Sequence, residues 1–464
     1  MSPAGPNLPT VGIQPVGDVT PGMADWTIDP ARHLPSDRPH IVAWNLTRRC
    51  NLTCAHCYIS AGSWHAAADE LPTADCLRIL DQILDVNPSP VLILSGGEPL
   101  LRDDLETLAE RAATVGATVV VGTNGTRLTD ERVRSLMDAG VKGVAVSVDS
   151  LRPAYHDRFR HGQGALSDTL AAVDRLVRHG LDFVVQMSLT RGNRDELADL
   201  AAWSADRGAV SFNAYFLVQT GRGEGMPGLE PEENEAVLRD LVALERTYRG
   251  RMMVRSKCQP QIMRHVIEAG DDSPLLNYGT RCPCGVHYCR ITPEGKVTPC
   301  PYSPVVAGDL NTADFGEIWR SSPVFTALRQ GTLEGRCGRC EYRKVCGGCR
   351  ARAYALNGSL LGADDSCVYD PSGRRPVIEP RPGPRYGQPS DAHDPGMPWS
   401  PDARARIERI PSFVRGVVRA RVEAFARERG YESVDLEVMA EVRREMPVDF
   451  SRRLPFFLRN GGEA

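Results

Sequence analysis

Three cysteines close together in "CNLTCAHC" are the residues of this sequence best suited to carry chemistry. Cys50, Cys54 and Cys57 follow the spacing C-x3-C-x2-C, and cysteine thiolates bind iron or zinc. Three thiolates can hold three irons of a 4Fe–4S cluster and leave the fourth iron open to another ligand. Zinc is the alternative, with His56 as a fourth ligand, but a residue wedged between Cys54 and Cys57 suits a tetrahedral site poorly.

A second group of cysteines lies later in the chain and also favours metal binding. Its members are Cys282, Cys284, Cys289, Cys300, Cys337, Cys340, Cys346, Cys349 and Cys367. Two C-x2-C pairs among them are compatible with structural zinc as well as with iron–sulfur clusters. Cys76 and Cys258 stand apart, and we expect ordinary buried thiols there, although Cys258 stays open as a ligand.

Composition and charge exclude several classes of protein. The 464 residues include 14 cysteines and carry a formal net charge of −4, which argues against a general nucleic-acid binder. No apolar run approaches the roughly 18 residues that span a bilayer. The beginning, "MSPAGPNLPTVGIQPVGDVT", lacks the layout of a secretory signal. We therefore expect a cytoplasmic protein without a membrane span, in which cysteines bind metal rather than form disulfides.

Short apolar strands alternate with amphipathic helices from residue 39 to about residue 220. The predicted strands are 41–45, 91–94, 118–121, 144–148, 183–189 and 210–217, and the predicted helices are 73–86, 102–115, 130–140, 166–180 and 194–208. This alternation predicts parallel strands in an α/β sheet or barrel. Unusual segments such as "SGGEPL", "GTNGT" and "QTGRGEG" each follow a strand, at the edge where such folds carry their active sites.

These segments resemble the signature of the radical S-adenosylmethionine (SAM) enzymes. "CNLTCAHC" matches the cysteine motif of that family, "SGGEPL" looks like its glycine-rich segment, and "VSVDS" is similar to its ribose-facing strand end. The resemblance implies a partial (β/α)6 barrel in which Cys50, Cys54 and Cys57 hold a 4Fe–4S cluster whose open iron binds SAM. It also implies reductive cleavage of SAM to a 5′-deoxyadenosyl radical, with electrons from a reduced ferredoxin or flavodoxin-type donor.

Further SAM-binding residues follow from the same resemblance. They are His56, Ser95, Gly96, Gly97, Glu98, Pro99, Asn124, Ser147 and Asp149. His56 stands where the family often has an aromatic residue that packs on adenine.

The later cysteines resemble the SPASM extension of radical SAM enzymes, which usually holds two auxiliary 4Fe–4S clusters. Gly295 lies five residues before Cys300, as the pattern of the extension requires, although "CGGC" is one residue shorter than usual. The resemblance implies one cluster on Cys300 and Cys349 with two of Cys282, Cys284 and Cys289. It implies a second cluster on Cys337, Cys340, Cys346 and Cys367.

Two further resemblances indicate an iron tetrapyrrole as the substrate. "YCRITPEGKVTPCPYSP" and "CGGCRARAYALNG" look like the SPASM regions of radical SAM enzymes that trim carboxylated side chains in haem formation. The segment 399–446 resembles a small module of a light-independent protochlorophyllide reductase subunit. A basic stretch with Arg152, Arg158, Arg160 and His161 is a candidate wall for substrate carboxylates, and an ordinary solvated loop is its alternative.

The predicted organisation has seven segments. They are a disordered segment 1–38, the partial barrel 39–228, a bridging helical region 229–280, the SPASM domain 281–370, a Pro/Gly-rich linker 371–398, a small all-α module 399–446 and a tail 447–464. The module is too small for a large core, and we expect it to dock on the rest of the chain. Ser400 and Ser433 are its predicted helix caps.

Two other functions stay open. A maturase that modifies a peptide or a metalloenzyme cofactor is one, since SPASM proteins often act on peptides, but the first 38 residues are too short and Pro-rich for a peptide-recognition domain. A non-catalytic iron–sulfur electron carrier is the other. A carrier needs no SAM pocket, so the glycine-rich and strand-end segments count against it.

Overall fold

The structure, a computed structural model, describes residues 38–270, 272–277, 282–381, 386 and 397–445. The predicted tail 447–464, and all but the last residue of the predicted disordered segment 1–38, lie outside these ranges. No helix in the described ranges is long and apolar enough to cross a membrane.

A single sheet organises the first two thirds of the chain. Its strands are β1 (Ile41–Asn45), β2 (Val91–Ser95), β3 (Thr118–Thr123), β4 (Gly143–Ser147), β5 (Asp182–Leu189), β6 (Ser211–Phe216), β7 (Met253–Lys257), β8 (Tyr288–Ile291), β9 (Lys296–Thr298) and β10 (Gly308–Asp309). The spatial order is β10-β9-β8-β1-β2-β3-β4-β5-β6-β7, and β8 to β7 run parallel. The predicted α/β class and its partial barrel are confirmed.

Helices pack on the outer face of this sheet. They are α1 (Thr73–Val86), α2 (Leu105–Val115), α3 (Asp130–Asp138), α4 (Pro153–Arg160), α5 (Ala165–His179), α6 (Leu197–Asp206), α7 (Pro231–Tyr248) and α8 (Ile262–Glu268). Alternate strand residues such as Val42, Leu92 and Phe183 face these helices and form the main hydrophobic core. The other face encloses the barrel lumen, whose floor is a small apolar cluster around Val120 and Val184.

Strand β7 extends the sheet beyond the six predicted strands. It lies in the region that the sequence analysis assigned to bridging helices, and it pairs parallel with β6. Only Val254 of this strand is fully buried, because its alternate positions turn Arg255 and Lys257 towards the lumen. A short strand without a continuous apolar run gives little sequence signal.

The cysteine-rich region supplies the strand on the other side of β1. Strand β8 pairs parallel with β1, with Val42 opposite Cys289 and Ala43 opposite Arg290. Strands β9 and β10 follow β8 in this region, and its helices are α9 (Phe315–Ser321), α10 (Pro323–Gln330), α11 (Gly335–Arg339) and α12 (Arg350–Asn357). The cysteine-rich region is thus joined to the barrel through the sheet itself.

The C-terminal module consists of three helices, α13 (Pro401–Glu408), α14 (Ser412–Glu428) and α15 (Leu436–Glu445). Ser400 caps α13 as predicted, by accepting a hydrogen bond from the Ala403 amide. The predicted cap Ser433 is wrong, because the Asp435 carboxylate accepts the first free amides of α15 instead. A carboxylate fits this role well, since it also interacts favourably with the helix dipole.

The module docks on the barrel at the end opposite the cysteine loop. Ser412 at the start of α14 accepts a hydrogen bond from Asn87 at 2.9 Å and lies 2.8 Å from His40 Nδ1. Arg415 donates to the Ser89 hydroxyl at 2.7 Å. Because these partners precede β1 and β2, the module covers the amino-terminal edge of the sheet.

Candidate active site

The loop after β1 gathers the first three cysteines at the carboxyl edge of the barrel. Cys50 and Cys54 are buried and Cys57 is half-buried. The Cys57 amide donates to the Cys54 carbonyl, and amides within the loop donate to the sulfurs of Cys50 and Cys57. Amides directed at sulfur stabilise thiolates, which is the form that binds iron.

The glycine-rich segment lies directly against this loop. The Gly97 amide donates to the Thr47 carbonyl at 2.7 Å, and the Glu98 amide donates to the Arg49 carbonyl at 2.8 Å. A Cβ atom on Gly97 would lie 2.3 Å from the Arg49 carbonyl oxygen, and one on Gly96 would lie 2.6 Å from the Thr47 carbonyl oxygen. Only glycine therefore permits the two loops to approach so closely.

Glu98 links the glycine-rich segment to the end of β3. Its fully buried carboxylate accepts hydrogen bonds from the Thr123 hydroxyl at 2.7 Å, the Asn124 amide at 2.9 Å and the Leu100 amide at 3.1 Å. Burial raises the pKa of Glu98 above its ordinary value, although these donors oppose the shift. With its oxygens taken up by protein donors, this carboxylate positions neighbouring segments.

Asn124 extends this hydrogen-bond network to the cysteine loop. Its side-chain nitrogen lies 3.9 Å from the Cys50 sulfur and donates to Asn51 at 3.0 Å. Asn51 in turn donates to the Thr126 hydroxyl at 2.8 Å. The segment "GTNGT" thus supports the first cysteine of the loop.

Asp149, which follows β4, forms an ion pair with Arg160 beside the cysteine loop. Its carboxylate accepts a hydrogen bond from Arg160 at 2.6 Å and from the Ser188 amide at 2.8 Å. Arg160 also lies 3.9 Å from the Cys54 sulfur. Burial alone would raise the pKa of Asp149, but Arg160 and the nearby histidines His56 and His156 lower it to about 2. The ion pair holds a guanidinium against a candidate cluster ligand.

His56 has an aromatic neighbour of its own. Its ring stacks on Phe159 with 4.5 Å between ring centroids and planes 6° apart. Burial lowers the pKa of His56 to about 4, so the ring is neutral at pH 7. Its Nδ1 is buried without a hydrogen-bond partner among the described residues. A flat neutral ring with an unused nitrogen suits a site that binds an adenine-bearing cofactor.

Arg222 fixes the cysteine loop from the opposite side, and the sequence analysis did not single it out. It follows β6 in "QTGRGEG" and donates to the carbonyl of Cys54 at 2.9 Å and to the carbonyl of Ala61 at 2.7 Å. Its amide donates to the Cys57 carbonyl at 3.0 Å. The only sequence signal was the position of this segment at a strand end.

Polar side chains line the lumen below the loop. Ser95 donates to the Gly122 carbonyl at 3.1 Å, and Ser147 lies at the end of β4 opposite Gln186. Tyr58, next to Cys57, accepts a hydrogen bond from Asn45 at 2.8 Å. Tyr215, Tyr288 and Tyr302 complete an aromatic group around Tyr58.

Five thiols form a group where the cysteine-rich region meets the end of β7. They are Cys258, Cys282, Cys284, Cys300 and Cys349. The sulfurs of Cys282 and Cys284 lie 3.2 Å apart, and the Cys349 thiol is within hydrogen-bond reach of Cys258 and Cys282. Cys258 has a positive φ of 61°, and its carbonyl accepts a hydrogen bond from Arg352 at 2.7 Å. Cys258 therefore joins this group although its sequence position is isolated.

Cys289 does not join the five thiols. It is fully buried on the outer face of β8, opposite Val42, within the main hydrophobic core. Strand alternation turns Tyr288 and Arg290 to the lumen and Cys289 away from it. Of the three cysteines that the sequence left as alternatives, the structure brings Cys282 and Cys284 to Cys300 and Cys349.

A second thiol group lies in the same region. Its members are Cys337, Cys340, Cys346 and Cys367. Cys346 lies close enough to Cys337 and Cys367 for both to act on its pKa, which burial raises. Asp364 connects the two groups, because its amide donates to the Cys337 sulfur and its carboxylate accepts from the Cys349 amide.

The candidate basic wall does not face the lumen as a unit. Arg152 is about half exposed and pairs with Asp195 and Glu196, as an ordinary surface loop would. Arg160 is buried in its ion pair with Asp149. The structure therefore supports the alternative interpretation for Arg152 and gives Arg160 a place beside the cluster loop.

Both thiol-rich sites consist of cysteines, the ligands that iron–sulfur clusters use. In the described ranges, no three His, Cys, Asp or Glu side chains converge as ligands of one metal ion would. A cubane is bound at its corners, so its cysteines need not meet at one point.

Comparisons with known proteins agree with this geometry. The profile of the radical SAM superfamily matches residues 44–203, that of the SPASM iron–sulfur cluster-binding domain matches 282–350, and that of the proto-chlorophyllide reductase 57 kD subunit matches 399–443. The solved structure of Streptococcus suis SuiB bound to S-adenosylmethionine covers 72% of this chain and 78% of its own, with a TM-score of 0.58 at 15% identity. That likeness establishes the fold.

Two curated relatives cover most of the chain. The AdoMet-dependent heme synthase of Methanosarcina barkeri is 36% identical over 72% of this chain and 98% of its own length. The pre-heme d1 synthase of Dinoroseobacter shibae is 32% identical over 70% of this chain and 85% of its own length.

Fold, cysteine loop and strand-end segments together define a radical SAM enzyme with an additional iron–sulfur region. The chain belongs to the radical SAM superfamily, in the group that carries a SPASM domain. It is therefore an enzyme whose cofactors are 4Fe–4S clusters and SAM. These findings confirm the family, the cofactors and the C-terminal module that the sequence predicted.

Proposed function

We propose that this enzyme removes side-chain carboxylates from an iron tetrapyrrole in haem-type cofactor biosynthesis. The observation that carries the proposal is the relation, over nearly the full length of the M. barkeri protein, to an AdoMet-dependent heme synthase. The relation to a pre-heme d1 synthase supports the same class of substrate. Each propionate would lose one hydrogen atom and carbon dioxide, leave a vinyl group, and release one electron to an acceptor.

The bound cluster and SAM supply the 5′-deoxyadenosyl radical that takes the hydrogen atom, and this chain positions and shields them. We assign Cys50, Cys54 and Cys57 as ligands of that cluster. Gly96 and Gly97 let the next loop close over it, and Pro99, Ser95 and Ser147 belong to the same SAM pocket. His56 is assigned to the adenine side.

Glu98, Asn124 and Asp149 have positioning roles in this proposal. Glu98 fixes the Asn124 amide, and Asn124 contacts the Cys50 sulfur. Asp149 holds Arg160 beside the Cys54 sulfur. Side chains that orient cluster ligands in this way tune both cluster potential and solvent access.

The two remaining thiol groups are assigned to auxiliary clusters. One is proposed on Cys282, Cys284, Cys300 and Cys349, and the other on Cys337, Cys340, Cys346 and Cys367. The first adjoins the tyrosine-lined lumen, which supports it as the acceptor of the electron released with carbon dioxide. We also propose a reduced ferredoxin or flavodoxin as the donor, in the cytoplasm.

An anaerobic turnover assay tests the proposal. The reconstituted, reduced enzyme is incubated with SAM and iron coproporphyrin, and 5′-deoxyadenosine and porphyrin mass are followed. The expected result is 5′-deoxyadenosine with conversion of one or two propionic acid side chains to vinyl groups, each with loss of carbon dioxide and two hydrogens. Formation of 5′-deoxyadenosine with unchanged iron coproporphyrin and unchanged siroheme derivatives would contradict the tetrapyrrole assignment and leave the radical SAM assignment intact.

A further inference from the structure

Lys257 places an amine in the lumen, where burial and the neighbouring Arg255 lower its pKa from 10.5 to about 7. It ends β7 in register with Tyr215, so the two side chains share the lumen face of the sheet. Tyr215 is in turn contacted by Gln186 from β5 at 3.4 Å. The charged or ionisable groups that act on Lys257 are Arg255 and the Cys258 thiol, and in the described ranges no carboxylate forms an ion pair with it.

Arg290 is a cation of the lumen whose hydrogen-bond partners among the described residues are neutral, although the Glu294 carboxylate acts on its charge from farther away. Arg290 on β8 donates to the Asn45 side-chain oxygen at 2.6 Å and to the Pro301 carbonyl at 3.5 Å. Its guanidinium lies over the Tyr58 ring, 5.7 Å from the centroid. Burial leaves Arg290 only 6% exposed, so bulk water screens its charge weakly.

The wall around these cations is aromatic. Tyr58 and Tyr302 have ring centroids 5.2 Å apart, and Tyr215 and Tyr288 lie close to both. Placing positive charge in such surroundings without a counterion is costly. A ligand that lowers this cost is a flat, largely apolar molecule that carries carboxylates.

The position of Lys257 gives such a carboxylate a role in the reaction. Tyr215, in register with Lys257, lies close to Tyr58, which directly follows Cys57. Lys257 itself directly precedes Cys258 of the five-thiol group. A side chain held at Lys257 therefore lies between the loop that cleaves SAM and the candidate electron acceptor.

We propose that the Lys257 ammonium binds a carboxylate of the substrate and so selects and orients the propionate-bearing edge of the macrocycle. This inference rests on the proposed tetrapyrrole function and deepens it. Lys257 is a binding residue here, and it replaces the surface arginines of α4 and its flanking loop as the candidate partner of substrate carboxylates.

The test measures binding before turnover. Iron coproporphyrin is titrated into the reconstituted enzyme without SAM or reductant, and the absorbance of the porphyrin gives the dissociation constant. Lys257→Met keeps length and removes the charge, and we expect the dissociation constant to rise about tenfold or more. Lys257→Arg should recover most of the affinity. Lys142→Met, at an exposed lysine between α3 and β4, is the matched control and should bind as the wild type does.

A second ligand identifies the group that Lys257 contacts. With the tetramethyl ester of the same porphyrin, the difference between wild type and Lys257→Met should shrink, because the ester carries no carboxylate. Iron content and the far-ultraviolet circular dichroism spectrum should be equal in all variants, which excludes misfolding.

Three different results would contradict the Lys257 proposal, and they distinguish its failure from a failure of the proposed function. If Lys257→Met binds and converts iron coproporphyrin as the wild type does, the lysine assignment is wrong while the proposed function stands. If its loss of affinity is as large for the ester as for the acid, Lys257 does not contact a carboxylate. If the wild type forms 5′-deoxyadenosine but neither binds nor converts carboxylated tetrapyrroles, both the proposed function and this inference fail.

Discussion

The cysteine loop after β1 and the five-thiol group at the end of β7 differ in the number of thiols that they offer to a cluster. The loop offers three thiols and is surrounded by groups from other strand ends, such as Asn124, Arg160 and Arg222. The second group offers one thiol more than a cubane has irons, and its members contact one another. Under the proposed ligand assignment, the first site keeps an iron open for SAM, whereas the second can saturate its cluster with protein ligands.

Loss of a loop thiol should have the largest effect. We expect Cys54→Ala to reduce 5′-deoxyadenosine formation below detection, because the open-iron cluster would lose one of only three ligands. About four irons per chain should be lost, and those of the auxiliary groups should remain. Iron analysis together with product chromatography checks this. A variant that kept SAM cleavage would show that the loop is not the site.

The auxiliary group should respond differently to its two kinds of cysteine. Cys284→Ser is expected to lower iron content or change the auxiliary cluster spectrum, because Cys284 contacts Cys282 and Cys300. Cys289→Ser, matched in chemistry and in the same strand region, should keep the full iron content, since Cys289 faces the hydrophobic core. Equal iron loss in both variants would contradict the proposed ligand set.

The arginine beside Cys54 should tune the first cluster without binding it. Replacing Arg160 alone would leave Asp149 as an unpaired buried charge, so Arg160→Met is combined with Asp149→Asn. We expect a more negative reduction potential and SAM cleavage slowed by about tenfold or more, at unchanged iron content. The wild type is the reference, because either single variant leaves one buried charge unpaired. An unchanged potential in the double variant would remove the tuning role of Arg160.

The contact between the docked module and His40 should make the free energy of unfolding depend on pH. We expect this effect to be smaller than those of the variants above. Burial, with Arg38 and Arg415 nearby, lowers the pKa of His40 from 6.5 to about 3. The unfolded chain therefore binds a proton below pH 6.5 that the folded chain does not. The free energy of unfolding should fall by about 1.4 kcal/mol per pH unit below that pH for this group.

Denaturant unfolding between pH 7 and pH 5 measures the slope. His40→Asn, which keeps a hydrogen-bond acceptor for Ser412 but does not titrate, should reduce the slope by about 1.4 kcal/mol per pH unit, while other buried histidines such as His56 keep their own contributions. An unchanged slope in this variant would assign the pH dependence to other groups.

The same contrast explains what the sequence could predict. The three cysteines of the loop and the glycine-rich segment lie within short motifs, and their strand ends follow from apolar periodicity. The sequence did not identify three residues, Cys258, Arg222 and Lys257, as sites because their partners are distant in sequence. The five-thiol group, for example, forms only when β7 and the cysteine-rich region meet. Cys289 could not be excluded either, because strand alternation on β8 decides which way it points.

The most direct test of the open-iron claim is electron paramagnetic resonance of the first cluster alone. A variant with Cys300→Ser and Cys346→Ser removes a ligand from each auxiliary group and isolates the signal of the loop cluster. The account predicts that the reduced signal changes its g values when SAM is added, because SAM binds the iron that no cysteine occupies. A reduced signal from a fully assembled cluster that is identical with and without SAM would contradict it.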